Sequence, residues 1–159
     1  EVAKLLEHRN IPYLRKSKSG VSGNLPSSSD MAESQVVLGD SMGEMFSYYA
    51  ASDITFIGGS LLPYGGQNLI EACAAGTPVV IGPHTHNFAE ATHLAVKAGA
   101  ATQVQGIDDL LTEIQRLLNN PEALRRMHQR CAEFIEPNRG ATEKSLLVIA
   151  NAIGKHKSS

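Results

Sequence analysis

The sequence predicts an α/β fold in which a parallel sheet is flanked by helices. Two observations carry this. Four short apolar runs, at residues 35–38, 54–57, 78–81 and 101–104, alternate with stretches of helical periodicity, a pattern that joins strands in parallel through helical crossovers. Several of these runs end in loops rich in Gly, Ser and Asn, where parallel sheets of this kind present their ligand-binding ends. At 159 residues, with 42% hydrophobic and 19% charged, the chain is read as one domain, residues 1–159, able to bury a core.

Each element follows in turn. Residues 1–8 read as the interior of an amphipathic helix with Val2, Leu5 and Leu6 on one face. No initiator Met or capping segment precedes it, so the sequence is expected to be a piece of a longer protein. A short strand fits residues 13–15, and residues 19–33, rich in Ser and Gly, are expected to form an exposed loop. Between the four apolar runs the periodicity predicts helices at residues 43–51, 69–75 and 88–98. Three more are predicted at 108–118, 121–135 and 142–153. Asn119, Asn120 and Pro121 break the first pair of these, with Pro121 suited to a first helical turn, and Pro137, Asn138 and Gly140 break the second. Residues 155–159 are expected to be disordered.

Composition narrows the function classes. A net charge of -2 offers no electrostatic footprint for nucleic acid, which is not expected as a partner. Cys73 and Cys131 are far apart and match no metal-ligand spacing, so they read as reduced core thiols suited to a cytosolic compartment. No apolar run approaches the roughly 18 residues that span a bilayer. The chain is therefore expected to be soluble when made alone.

Three strand-end loops carry the functional signal. In Leu38-Gly-Asp-Ser-Met-Gly-Glu-Met45, Ser41 and Glu44 have capping-box spacing. This sets the amides of Met42, Gly43 and Glu44 near a helix start where an anion such as phosphate is favoured; a well-capped helix that binds nothing fits the same residues. In Ile57-Gly-Gly-Ser60, the glycines permit close approach of a ligand and Ser60 adds a hydroxyl, although a tight turn would also explain Gly58 and Gly59. In Tyr64-Gly-Gly-Gln-Asn-Leu-Ile-Glu71, Asn68 and Glu71 open a helix. There a carboxylate can read vicinal ribose hydroxyls, or the pair can simply cap the helix.

A fourth loop, residues 82–90, carries His84 and His86, which are expected to line the crevice or hold the loop rather than bind metal. Asn87 would cap the helix beyond. Arg125, Arg126 and Arg130 fit a solvated helix face. No Ser-His-Asp order, HExxH pair, P-loop or GxGxxG appears.

From about Val36 to Thr102 the segments LGDSMGEM, FIGGSL and PYGGQNLIEACAAGTPVVIGPHTHNFAE, with the later NRGATEKSL, resemble the Kdo transferases, which are GT-B glycosyltransferases. Gln67 stands where related sequences commonly carry His, so no imidazole role is placed there. The resemblance implies the Rossmann-like, carboxy-terminal half of a two-domain enzyme that takes CMP-Kdo as donor. The acceptor would be a lipid A precursor, used in lipopolysaccharide biosynthesis at the cytoplasmic face of the bacterial inner membrane.

By the same resemblance, the amino-terminal domain, which engages the acceptor and the membrane surface, would lie outside this chain, together with the first strand, helix and second strand of the nucleotide domain. No catalytic residue is assigned, and neither a metal nor a cofactor is expected. Met42, Gly43 and Glu44 would face the CMP phosphate, Gly59 and Ser60 would border the nucleotide crevice, and Asn68 and Glu71 would lie toward the ribose and phosphate. Two alternatives stay open: another GT-B member such as a UDP-sugar transferase or epimerase, and a non-catalytic interaction module.

Overall fold

A computed structural model describes residues 1–18, 34–138 and 149. The chain divides into two compact units, Glu1–Met45 and Phe46–Ser159.

In the first unit, helix α1 (Val2–His8) buries Leu6 and leads to strand β1 (Tyr13–Arg15) and a 3-10 turn at Lys16–Lys18. Strand β2 (Val36–Leu38) pairs in parallel with β1, Tyr13 opposite Val36 and Arg15 opposite Leu38. Helix α2 (Met45–Ala50) starts at the boundary between the units.

The second unit contains a three-stranded parallel sheet. Its strands, β3 (Thr55–Ile57), β4 (Val79–Ile81) and β5 (Ala101–Gln103), lie in chain order with β4 in the middle. Helix α3 (Ile70–Ala74) crosses from β3 to β4 and α4 (Ala89–Ala98) from β4 to β5; α5 (Ile107–Leu118) and α6 (Pro121–Ile135) follow.

The central strand shows why the residues stack as they do. Successive strand side chains point to opposite faces. Val79 and Ile81 therefore join one buried cluster with Ala72 and Cys73 of α3, Ala95 of α4 and Cys131 of α6. Val80 turns the other way and joins Leu110 and Leu117 of α5 and Ala123 of α6. All three residues of β4 are fully buried, as a strand covered on both faces must be. Ala72, Ala95 and Ala100 keep the first face shallow, so helices lie close to the sheet. Asn120 caps α6 by accepting a hydrogen bond from the Ala123 amide at 3.0 Å, with Pro121 in the first turn, as its sequence suggests.

Two expectations are corrected. The strands form two separate parallel sheets, one in each unit, where a single sheet was predicted. The helix predicted at residues 43–51 starts only at Met45, because Gly43 has φ +83 and a left-handed residue cannot lie inside a right-handed helix. The predicted loop at 19–33 and tail at 155–159 lie outside the described residues, as does the helix at 142–153 apart from Ile149, which is helical.

Candidate functional site

The seven residues singled out in the sequence fall into two groups, one in each unit. In the first unit, Met42, Gly43 and Glu44 occupy the turn between β2 and α2 rather than a helical first turn. The Met42 side chain is 97% exposed. Glu44 accepts the Ser41 hydroxyl and pairs with Lys16 Nζ at 2.5 Å. Ser41 and Glu44 thus meet side chain to side chain, not through the reciprocal amide bonds of a capping box. Lys16, and then Ser41, hold the Glu44 carboxyl below its ordinary pKa.

A second ionic knot lies alongside. Asp40 accepts from the Ser17 hydroxyl at 2.6 Å, from the Ser17 amide at 2.9 Å and from the Arg15 guanidinium. The Ser17 hydroxyl, followed by Arg15, keeps the Asp40 carboxyl far below the usual carboxylate range. The end of β1 is therefore bound to the loop after β2 by charge. Sequence reading missed Arg15, Lys16, Ser17 and Asp40. The Arg-Lys pair directly after an apolar strand was the only local sign, and its partners stand more than twenty residues away.

In the second unit the loops after β3 and β4 are knitted together mainly by backbone. Ile57 and Ile81 are register partners, so the two loops leave the sheet side by side. The Gly66 amide donates to the Gly59 carbonyl at 3.0 Å, that of His84 to Ser60 at 2.9 Å, and that of Asn87 to Gly65 at 3.3 Å. Gly59, Gly65 and Gly66 have φ of +72, +88 and +72, which lets the chain turn back on itself twice in eight residues.

Ser60 is the rivet of this assembly. Its side chain is fully buried, donating to the Ile57 carbonyl at 2.6 Å and accepting from the Gly82 amide at 2.8 Å. The hydroxyl expected to meet a ligand thus holds the two loops in place. Gly82 has no room for a side chain, since an added Cβ would stand 2.3 Å from the Ser60 carbonyl oxygen.

Asn68 and Glu71 do meet. Asn68 Oδ1 accepts the Ile70 amide at 3.0 Å and its Nδ2 donates to Glu71 Oε1 at 3.3 Å, which orients an otherwise exposed carboxylate at the start of α3. Burial, and then the charge of Glu71, push the Tyr49 phenol up, so that hydroxyl titrates in the field of this carboxylate. From behind, the turn that ends α3 is anchored by His128 Nδ1 on the Gly76 carbonyl at 2.7 Å and by the Thr77 hydroxyl on the Tyr49 carbonyl at 2.6 Å.

A groove of about 360 Å³ lies elsewhere in the second unit, where the chain enters β3, lined by Ala51, Asp53, Ile54, Phe56, Ile114 and Leu118. It shares no residue with the strand-end loops, and the charged group on its lining, Asp53, would repel an anionic ligand. We place the site at the loops on chemistry. Among the described residues no group of three or more His, Cys, Asp or Glu could hold a metal ion, and no helix is long and apolar enough to cross a membrane.

Parallel strands, helices on both faces and glycine-rich turns at the strand ends define an α/β protein of the class whose ligands bind at the carboxyl edge of a sheet. Residues 30–134 match the glycosyl transferases group 1 family, and the chain belongs to that family. It is similar to the 3-deoxy-D-manno-octulosonic acid transferase of Bordetella pertussis, 39% identical over 97% of this chain and 34% of that protein. The enzyme of the same name from Haemophilus influenzae is 37% identical over 91% of this chain and 32% of its own length. The chain thus spans about a third of these relatives. Among solved structures, the C-terminal CMP-Kdo binding domain of WaaA from Acinetobacter baumannii matches with a TM-score of 0.73 and 30% identity, over 84% of this chain and 66% of that one.

Proposed function

We propose that this chain is the donor-binding part of a GT-B transferase that moves Kdo from CMP-Kdo to a lipid A precursor in lipopolysaccharide biosynthesis. The observation that carries this reading is the rigid pair of loops after β3 and β4, with the Asn68-oriented Glu71 beside them, in a chain similar to a domain described as binding CMP-Kdo. Glu71 accepts the two vicinal ribose hydroxyls, and the turns around Gly59 and Gly66 let the nucleotide lie against backbone. In the first unit, taken by itself, the turn at Met42, Gly43 and Glu44 has amides that can serve an anion, with Glu44 paired to Lys16.

When the bond between the sugar's anomeric carbon and the phosphate oxygen breaks, its electron pair leaves with CMP. Fixed donors at the phosphate stabilise that growing charge, with neither metal nor cofactor in the scheme. Acceptor binding and the acid or base chemistry fall to the rest of a longer enzyme working at the cytoplasmic face of the inner membrane.

Titration calorimetry of this chain with CMP and UDP tests the reading. CMP is expected to bind the more tightly, and Glu71→Gln to weaken it by about tenfold through loss of hydrogen bonds to a charged acceptor. A clear preference for UDP would move the chain to another branch of the fold. Kdo transfer by this chain alone would refute the division of labour.

A further inference from the structure

Between Lys18 and Lys97 the sequence contains no Lys or Arg. The strand-end loops of the second unit therefore meet an anionic donor with no permanently cationic side chain of their own. His84 and His86 are the side chains on those loops whose ring N–H can donate to an anion. The helices that follow the two loops open with carboxylates, Glu71 in the first turn of α3 and Glu90 in that of α4.

The two histidines are placed differently. His86 is exposed to solvent beside Gly65, its Nε2 standing 2.6 Å from where a Cβ on that glycine would be. His84 is fixed through its own backbone between the two glycine turns. Its amide is bonded to the Ser60 carbonyl at 2.9 Å, and its carbonyl oxygen lies 3.4 Å from the Cβ position of Gly66. Its side chain is half-buried, yet among the described residues neither ring nitrogen has a hydrogen-bond partner. A partly desolvated imidazole with no protein partner, held between ligand-facing turns, is suited to an acceptor that arrives from outside.

Resting on the donor-binding reading above, we infer that the His84 imidazole reads an anionic oxygen of the donor, on the phosphate or on the sugar acid. It is a specificity residue: it makes the site prefer charged donors over neutral nucleosides and takes no part in anchoring the base or the ribose.

The test is a ratio, so that loss of fold and loss of recognition separate. CMP and cytidine are titrated into the unmodified chain, His84→Gln, His84→Ala and His86→Gln, each first shown to melt cooperatively. The unmodified chain is expected to prefer CMP. Both His84 variants should lower that preference about tenfold, the scale of one hydrogen bond to a charged group, with cytidine affinity unchanged; His86→Gln should retain it. If the CMP preference survives but the gain in affinity from CMP to CMP-Kdo falls by a similar factor in the His84 variants, the anion read is the sugar carboxylate. Unchanged ratios for both pairs, or a loss in His86→Gln alone, overturn the inference while leaving the donor-binding reading intact. Failure of the unmodified chain to bind either CMP or cytidine overturns both.

Discussion

The two units place loops at the carboxyl ends of parallel strands but hold them by opposite means. In the first, side-chain charges do it: Arg15 and Ser17 on Asp40, Lys16 on Glu44. In the second, the work is done by backbone amides, left-handed glycines and one buried hydroxyl, with no Lys or Arg on either loop. A lattice of short backbone bonds is insensitive to salt and pH but intolerant of added atoms. The ion pairs of the first unit, only partly exposed, have the reverse weaknesses. The loops of the second unit therefore keep their contour as solution conditions change, whereas the ion pairs of the first can be loosened by them.

The largest expected effect is at Gly82. Gly82→Ala would drive a methyl group into the Ser60 backbone, 2.3 Å from its carbonyl oxygen and 2.7 Å from the Leu61 amide nitrogen. Overpacking against backbone should cost about 3 kcal/mol, read as a fall in the denaturant midpoint. A variant as stable as the parent would show that the two loops are not locked together.

Ser60→Ala comes next. It removes two buried hydrogen bonds and leaves the Gly82 amide without its acceptor, so a loss of about 2 kcal/mol is expected by the same measurement. Gly43→Ala sharpens the contrast with Gly82. Nothing stands within 4 Å of the added methyl, and only the φ of +83 opposes it, so the cost should be about 1 kcal/mol.

The smallest effect is that of pH on the first unit. Asp40 and Glu44 have depressed folded-state pKa values. Their stabilising contribution is present above the unfolded values of about 4 and is lost as pH falls through the folded ones. Carboxyl carbon NMR should show Asp40 still ionised at pH values where an ordinary aspartate has protonated, and Arg15→Gln should move its titration upward. An Asp40 that titrates like a free aspartate would dissolve the distinction between the two units.

Much of the fold was legible because it is local. The alternation of runs and periodic stretches located four of the strands among the described residues, a short strand was also expected at 13–15, and Asn120-Pro121 marked the start of α6. The site was legible in outline, since Gly-Gly pairs at strand ends do form the turns, and Asn68 does reach Glu71. What escaped depends on distant neighbours. That Ser60 faces inward is decided by the Gly82 amide twenty-two residues on. That Glu44 is drawn to Lys16 is decided by the pairing of β1 with β2, for which three-residue strands leave almost no periodicity to read.

The most direct test of the central claim is a two-dimensional NMR titration of this chain with CMP. Binding at the strand ends of the second unit predicts shifts gathered on the amides of residues 58–71 and 82–87, with Gly59, Gly66 and Glu71 among the largest. Shifts confined to Ala51, Ile54, Phe56 and Ile114 around the apolar groove, or no shifts at millimolar CMP, would contradict it.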